Sequence, residues 1–161
     1  MSGESRPAWS QQFAAAALRQ LKSTGPLGGI DAAWAWGGST GRGVKVAVVD
    51  SGVEADHPAV GGQWRGGVIV NYDGRTRSRV RVEEDCERVD LYGHGTACAG
   101  IIHSLAPEAE LYSVRVLGRD LTGRAFQFAG GLRWAIDNDM QVINLSLSTG
   151  REEYFGLFHE L

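Results

Sequence analysis

Val44-Lys-Val-Ala-Val-Val-Asp-Ser-Gly52 decides the fold. The run from Val44 to Val49 is almost continuously apolar, the pattern of a short strand buried on both faces in a parallel sheet. It stops at Asp50-Ser51-Gly52, a polar turn at the strand's carboxyl end. In open α/β sheets that end gathers ligands and catalytic groups, which makes Asp50 a candidate functional carboxylate.

Working outward, further strands are expected at residues 67–71, 109–116 and 141–146, and helices at 95–104 and 127–138. The second helix carries Ala129, Leu132 and Ile136 on one face, with Met140 continuing that spacing just past its end, the pattern of an amphipathic helix. Strands alternating with helices imply βαβ units, hence an α/β fold with a parallel sheet. Residues 73–87 break the alternation. They carry Arg75, Arg77, Arg79 and Arg81, then Glu83, Glu84, Asp85 and Glu87. Opposite charges so close nearly cancel, so this stretch is expected to be a solvated surface hairpin or loop and not a phosphate-binding patch.

Two ends flank this body. Residues 1–29 are expected to form a leader in which Trp9, Phe13, Ala16, Ala17 and Leu21 fall at helical spacing. A docking helix and a removable pro-segment both fit it. Residues 30–161 are expected to form the folded domain, and its last stretch, Tyr154-Phe-Gly-Leu-Phe-His-Glu-Leu161, reads as a helix cut partway. The 161 residues are 43% hydrophobic and 22% charged, enough apolar content to bury a core. Sixteen Lys and Arg against 19 Asp and Glu leave a net charge of −3, which argues against a general nucleic-acid-binding surface. No apolar run approaches ~20 residues, the length of a membrane span. No signal-peptide order is visible either, so as it stands the chain reads as cytoplasmic. Cys86 and Cys98 have neither the number of a disulfide framework nor the spacing of a zinc site.

The second informative stretch is Asp90-Leu-Tyr-Gly-His-Gly-Thr-Ala-Cys-Ala-Gly100. It places an imidazole, His94, at the start of a helix whose first turns are nearly all small residues. Small residues let such a helix lie close to the sheet. An Asp that holds a His in one tautomer is the base half of a Ser–His–Asp triad, and Asp before His is the chain order of one of its convergent forms.

These residues resemble the subtilisin-like serine proteases, the subtilases. Val-Val-Asp50-Ser-Gly matches the family's aspartate motif, and His94-Gly-Thr-Ala-Cys-Ala-Gly100 matches His-Gly-Thr-x-x-Ala-Gly at every fixed position. The likeness runs on through Leu105-Ala-Pro-Glu-Ala-Glu-Leu-Tyr-Ser-Val-Arg-Val-Leu117 and Trp134-Ala-Ile-Asp-Asn-Asp-Met-Gln-Val-Ile-Asn-Leu-Ser-Leu147, covering about residues 30–148. It implies the N-terminal part of a three-layer, parallel-sheet subtilisin-like fold. Asp50 would orient the base, and His94 would be the general base and acid. Ser146, Leu147 and Ser148 would offer backbone groups to a peptide substrate, with Leu121, Thr122 and Gly123 as the opposite edge, so that an extended peptide adds as a strand between them.

Three departures qualify the likeness. Ser148 stands where the family usually has Gly. Ala59 follows His57-Pro58 where the family often has a calcium-binding Asp; a hard cation needs oxygen ligands, so no metal is expected, and no cofactor is implied. The nucleophile motif Gly-Thr-Ser-Met-Ala is not in these residues. Ser104, Ser113, Ser146 and Ser148 have no such context.

Other residues carry structural expectations. His57 reads as a loop residue, and His103 and His159 as surface residues. Asn144 reads as a strand residue with a core hydrogen bond, and Cys98 as a packed thiol. A Cys98–His94 dyad is disfavoured, because it would need the two side chains to face each other productively. Trp34, Trp36, Trp64 and Trp134 read as core or interface aromatics. Functionally, the leading expectation is the Asp/His-bearing part of a serine endopeptidase, inactive alone, that acts on a peptide or protein substrate with a complementary C-terminal half. The alternatives are a non-catalytic peptide-binding scaffold and one half of a split protease.

Overall fold

The computed structural model describes residues 36–147 and residue 156. The leader helix, Trp34, Ser148, His159 and the final aromatic stretch lie outside the described residues. Chain contacts divide at residues 38 and 39, and every element below belongs to the second unit. In chain order these are β1 (Lys45–Asp50), a short 3-10 turn (Pro58–Val60), β2 (Trp64–Tyr72), β3 (Val80–Glu84), α1 (His94–Leu105), β4 (Glu110–Arg115), α2 (Ala125–Asp137) and β5 (Val142–Asn144).

The strands form one sheet in the order β3-β2-β4-β1-β5. β1 is parallel to β4 on one side and to β5 on the other, and β2 is parallel to β4. β3 is the exception: it returns antiparallel to β2, with Val70 opposite Val82. Residues 73–87 are therefore the hairpin that their charge pattern suggests. Asp85 departs from the expectation of a solvated stretch. It is buried, and its Oδ1 lies 3.5 Å from Nη2 of the equally buried Arg115.

Alternation along β1 assigns the two faces. Val46 and Val48 pack with Leu111, Val53 and Ala99 of α1, while Ala47 and Val49 pack with Val114, Val116 and Phe128 of α2. A helix on each face gives three layers, and β1, between β4 and β5, is buried on both faces as its apolar run predicts. Full burial of a valine side chain contributes about 1.5–3 kcal/mol, so β1 is a major part of the core. β5 meets the expectation less completely. Ile143 and Leu147 pack against the α2 side, but Val142 is 47% and Leu145 42% exposed.

The helix ends follow from local chemistry. The N-cap of α1 is Gly93, which has no side chain to cap with; the Asp90 carboxylate instead accepts from the amides of Gly93 and Thr96. In α2, Gln127 accepts from the Arg124 amide and donates to the Val70 carbonyl, tying the first turn to β2. No helix among the described residues is long and apolar enough to cross a membrane.

Candidate active site

Asp50 is the last residue of β1, and its carboxylate is wholly buried. The Ser51 amide donates to Oδ1 at 2.7 Å. Nδ1 of His94 lies 2.9 Å from Oδ1 and 2.8 Å from Oδ2. Asp50 can accept and cannot donate when ionised, so the neutral imidazole carries its proton on Nδ1 and leaves Nε2 as the basic nitrogen. The His94 side chain is 39% exposed. One edge of the ring is thus held by a buried anion while the ring itself remains accessible.

Two close approaches allow this geometry. A Cβ placed on Gly95 would stand 2.1 Å from the Gly52 carbonyl oxygen and 3.0 Å from the Asp50 Cβ. Gly52 has φ of 111°, and a Cβ there would meet the Val89 carbonyl oxygen at 2.4 Å. A side chain at Gly95 would hold α1 off the end of β1, and one at Gly52 would push away the Val89–Asp90 segment that leads into α1.

Behind the pair lies a second layer that sequence reading missed. Asp90 Oδ1 accepts from the Ser51 hydroxyl at 2.7 Å and from the amides of Tyr92 at 3.0 Å and Gly93 at 2.8 Å. Its Oδ2 accepts from both the amide and the hydroxyl of Thr96, each at 2.7 Å. Burial pushes the Asp90 carboxyl up, but the hydrogen bonds from Gly93, Thr96 and Ser51 outweigh it and hold the group below the usual carboxylate range. The signal was an acidic residue four positions before the motif histidine.

Cys98 lies beside the base. Residues four apart share a helix face, and the Cys98 sulfur lies 3.9 Å from His94 Nδ1. The two side chains do face each other. The sulfur sits on the Nδ1 side already engaged by Asp50, and Cys98 also packs into the core beneath α1, so it backs the ring as a packed thiol. Sγ, a His94 ring nitrogen and one Asp50 carboxylate oxygen lie within 4.8 Å of one another. Nδ1 and both carboxylate oxygens there are already spent on one another.

The remaining candidates are placed by topology. Leu121, Thr122 and Gly123 follow β4, and Ser146 and Leu147 follow β5. Because β4 and β5 run parallel to β1 on its two sides, both segments emerge at the sheet end where Asp50 sits, one to each side of it. Within the first segment, the Thr122 amide donates to Asp120 and its carbonyl accepts from the Gly118 amide. Leu121 has φ of 56° and packs against the α2-side core. Ser146 donates to the Asn144 side chain at 3.1 Å. His57 caps the 3-10 turn through Nδ1, which accepts from the Ala59 amide. His103 is half-buried, not a surface residue: its ring lies against Gly61, where the 3-10 turn meets α1. Trp64 and Trp134 pack on the two cores as expected, while Trp36 is 47% exposed.

Comparisons with known proteins cover most of the chain. The sequence profile of the Subtilase family matches residues 41–156. The chain belongs to the subtilase family. Subtilisin BL from Lederbergia lenta is 43% identical over 121 residues, which are 70% of this chain and 40% of that protein. Thermitase from Thermoactinomyces vulgaris is 36% identical over 128 residues, 73% of this chain and 42% of that protein. Among solved structures, a cold-adapted subtilisin-like serine proteinase aligns with a TM-score of 0.51 and 25% identity, covering 72% of this chain and 41% of that one. The chain thus spans about two fifths of the length of these subtilases. The family and its partial α/β, subtilisin-like fold agree with the expectation from the two motifs.

Proposed function

We propose that this chain is the base-bearing part of a serine endopeptidase. The observation that carries the reading is the contact of both Asp50 carboxylate oxygens with His94 Nδ1, at 2.8 and 2.9 Å, in a chain with the subtilase profile. In the reaction, Nε2 of His94 takes the proton of a serine hydroxyl as that oxygen attacks the peptide carbonyl. The same nitrogen then gives the proton to the leaving amine, and water repeats the cycle on the acyl-enzyme. Asp50 stabilises the imidazolium formed in each half and keeps Nδ1 as the protonated nitrogen. The serine and the oxyanion donors come from a complementary C-terminal portion, since none of the 161 residues stands in the Gly-Thr-Ser-Met-Ala context. The peptide lies extended between residues 121–123 and 146–148, adding as a strand at the sheet end that carries Asp50.

The test is hydrolysis of a fluorogenic peptide by the chain alone and after mixing with the serine-bearing C-terminal portion of a subtilase. Alone, the chain leaves the peptide intact. The mixture cleaves it, and Asp50→Ala and His94→Ala each remove the activity. Cleavage that survives His94→Ala rules the reading out.

A further inference from the structure

The Ser51 hydroxyl has one proton and two carboxylates within reach. Its oxygen lies 2.7 Å from Asp90 Oδ1 and 3.1 Å from Asp50 Oδ1. It cannot donate fully to both, and the shorter contact takes the proton. The same oxygen accepts from the Gly95 amide at 3.3 Å. Asp50 Oδ1 then keeps only the Ser51 amide and the His94 ring nitrogen as donors. Asp90 is itself fixed by the amides of Tyr92, Gly93 and Thr96 and by the Thr96 hydroxyl, which in turn accepts from the Glu54 amide. Glu54, His57 and Asp90 share the wall of an open groove of about 580 Å³ beside α1.

We propose that Asp90 is a positioning residue for the base: by holding the Ser51 hydroxyl proton, it keeps Asp50 Oδ1 a strong acceptor for His94. This rests on the reading of His94 as the general base. It adds a reason for a second carboxylate, since capping α1 alone would need only the backbone contacts. If Asp90 loses its charge, the ionised Asp50 becomes the better acceptor and the hydroxyl turns to it. Asp50 then shares its charge with an additional donor, the bond to Nδ1 weakens, and the imidazole loses its preference for the Nδ1–H tautomer.

The readout is the ratio of Nδ1–H to Nε2–H tautomers of neutral His94. It is obtained from the ring nitrogen shifts of the full 161-residue chain, correlated through carbon-bound ring protons at alkaline pH. No nucleophile is needed, so the outcome is independent of whether assembly with a C-terminal portion restores proteolysis. In Asp90→Asn, the ratio should fall roughly three- to tenfold, the equivalent of weakening one hydrogen bond. In a Ser51→Ala background, the same substitution should move it by less than about twofold. A purely structural cap would lower the melting temperature and leave the ratio in place. An unchanged ratio in Asp90→Asn, or an equal fall with and without the Ser51 hydroxyl, overturns the proposal. Should Asp90→Asn not fold, Ser51→Ala alone decides by sign. If the hydroxyl donates to Asp90, its removal leaves the ratio unchanged or lower. If it donates to Asp50, its removal raises the ratio and the proposal falls.

Discussion

His94 Nδ1 lies 2.9 Å from one oxygen of Asp50 and 2.8 Å from the other, so one wholly buried carboxylate spends both oxygens on a single ring nitrogen. That contact fixes both the tautomer and the plane of the imidazole. Replacing Asp50 by Asn keeps the shape but offers an amide N–H to Nδ1, which turns the ring to the wrong tautomer. In a protease assembled with a serine-bearing portion, kcat should fall by about 10⁴, the loss a triad carboxylate carries in other enzymes of this chemistry. Steady-state kinetics on a peptide substrate checks this.

Gly95 sets the distance between α1 and the end of β1. Because a Cβ there would stand 2.1 Å from the Gly52 carbonyl oxygen, Gly95→Ala must move backbone against backbone. Overpacking of this kind costs about 1–3 kcal/mol. The substitution should lower the urea midpoint by a corresponding amount and lengthen the Asp50–His94 contact, seen as loss of the Nδ1–H tautomer preference.

Asp85 and Arg115 are a buried pair at 3.5 Å that joins the end of the β2–β3 hairpin to β4. Arg115 also lies opposite Asp50 in the β1–β4 register. Arg115 Nη2 also meets the exposed Glu87 carboxylate at 3.3 Å, so removing Asp85 takes away the buried one of its two partners. Leaving a buried charge wholly unpaired costs about 3–5 kcal/mol, and Asp85→Ala should be destabilising in denaturant melts by less than that. The double replacement Asp85→Ala with Arg115→Met should recover most of the loss, because no buried charge remains.

Asp90 gives the fold an acid limit. Its carboxyl is held below the usual range when folded, so the unfolded chain binds a proton first as pH falls. The stabilisation is complete above the unfolded value of about 3.9 and drains away as pH drops towards the folded value. Asp90→Asn should lower stability at neutral pH and flatten its dependence on pH below about 4. Thermal melts of both chains across the acid range make the comparison.

Strand β1, the two helices and the sheet-end position of Asp50 were legible because each follows from local pattern. The apolar run before Asp50 fits only a strand buried on both faces, and the His-Gly-Thr motif opens a helix of small residues. What stayed hidden depends on long-range partners. Asp85 looks like one more charge in a solvated run until Arg115 arrives from β4. Ser51 and Asp90 are 39 positions apart, and only the closeness of α1 to β1 brings them together. Cys98 is a packed thiol as its sequence context suggests, and its place beside His94 follows from a spacing of four on a helix, which puts both on one face. Val142 stands in the expected strand at residues 141–146, yet it is 47% exposed, on β5, which is paired only with β1 among the described residues.

The most direct measurement of the central claim is labelling with a serine-directed fluorophosphonate. The claim is that Asp50 and His94 are the base of a protease whose nucleophile lies in a complementary portion. The chain alone should form no adduct. Mixed with a serine-bearing C-terminal portion, the adduct should form on that portion's serine and vanish with Asp50→Ala or His94→Ala. A stoichiometric adduct on any serine of the isolated 161-residue chain, or labelling of the mixture that is indifferent to His94, would contradict it.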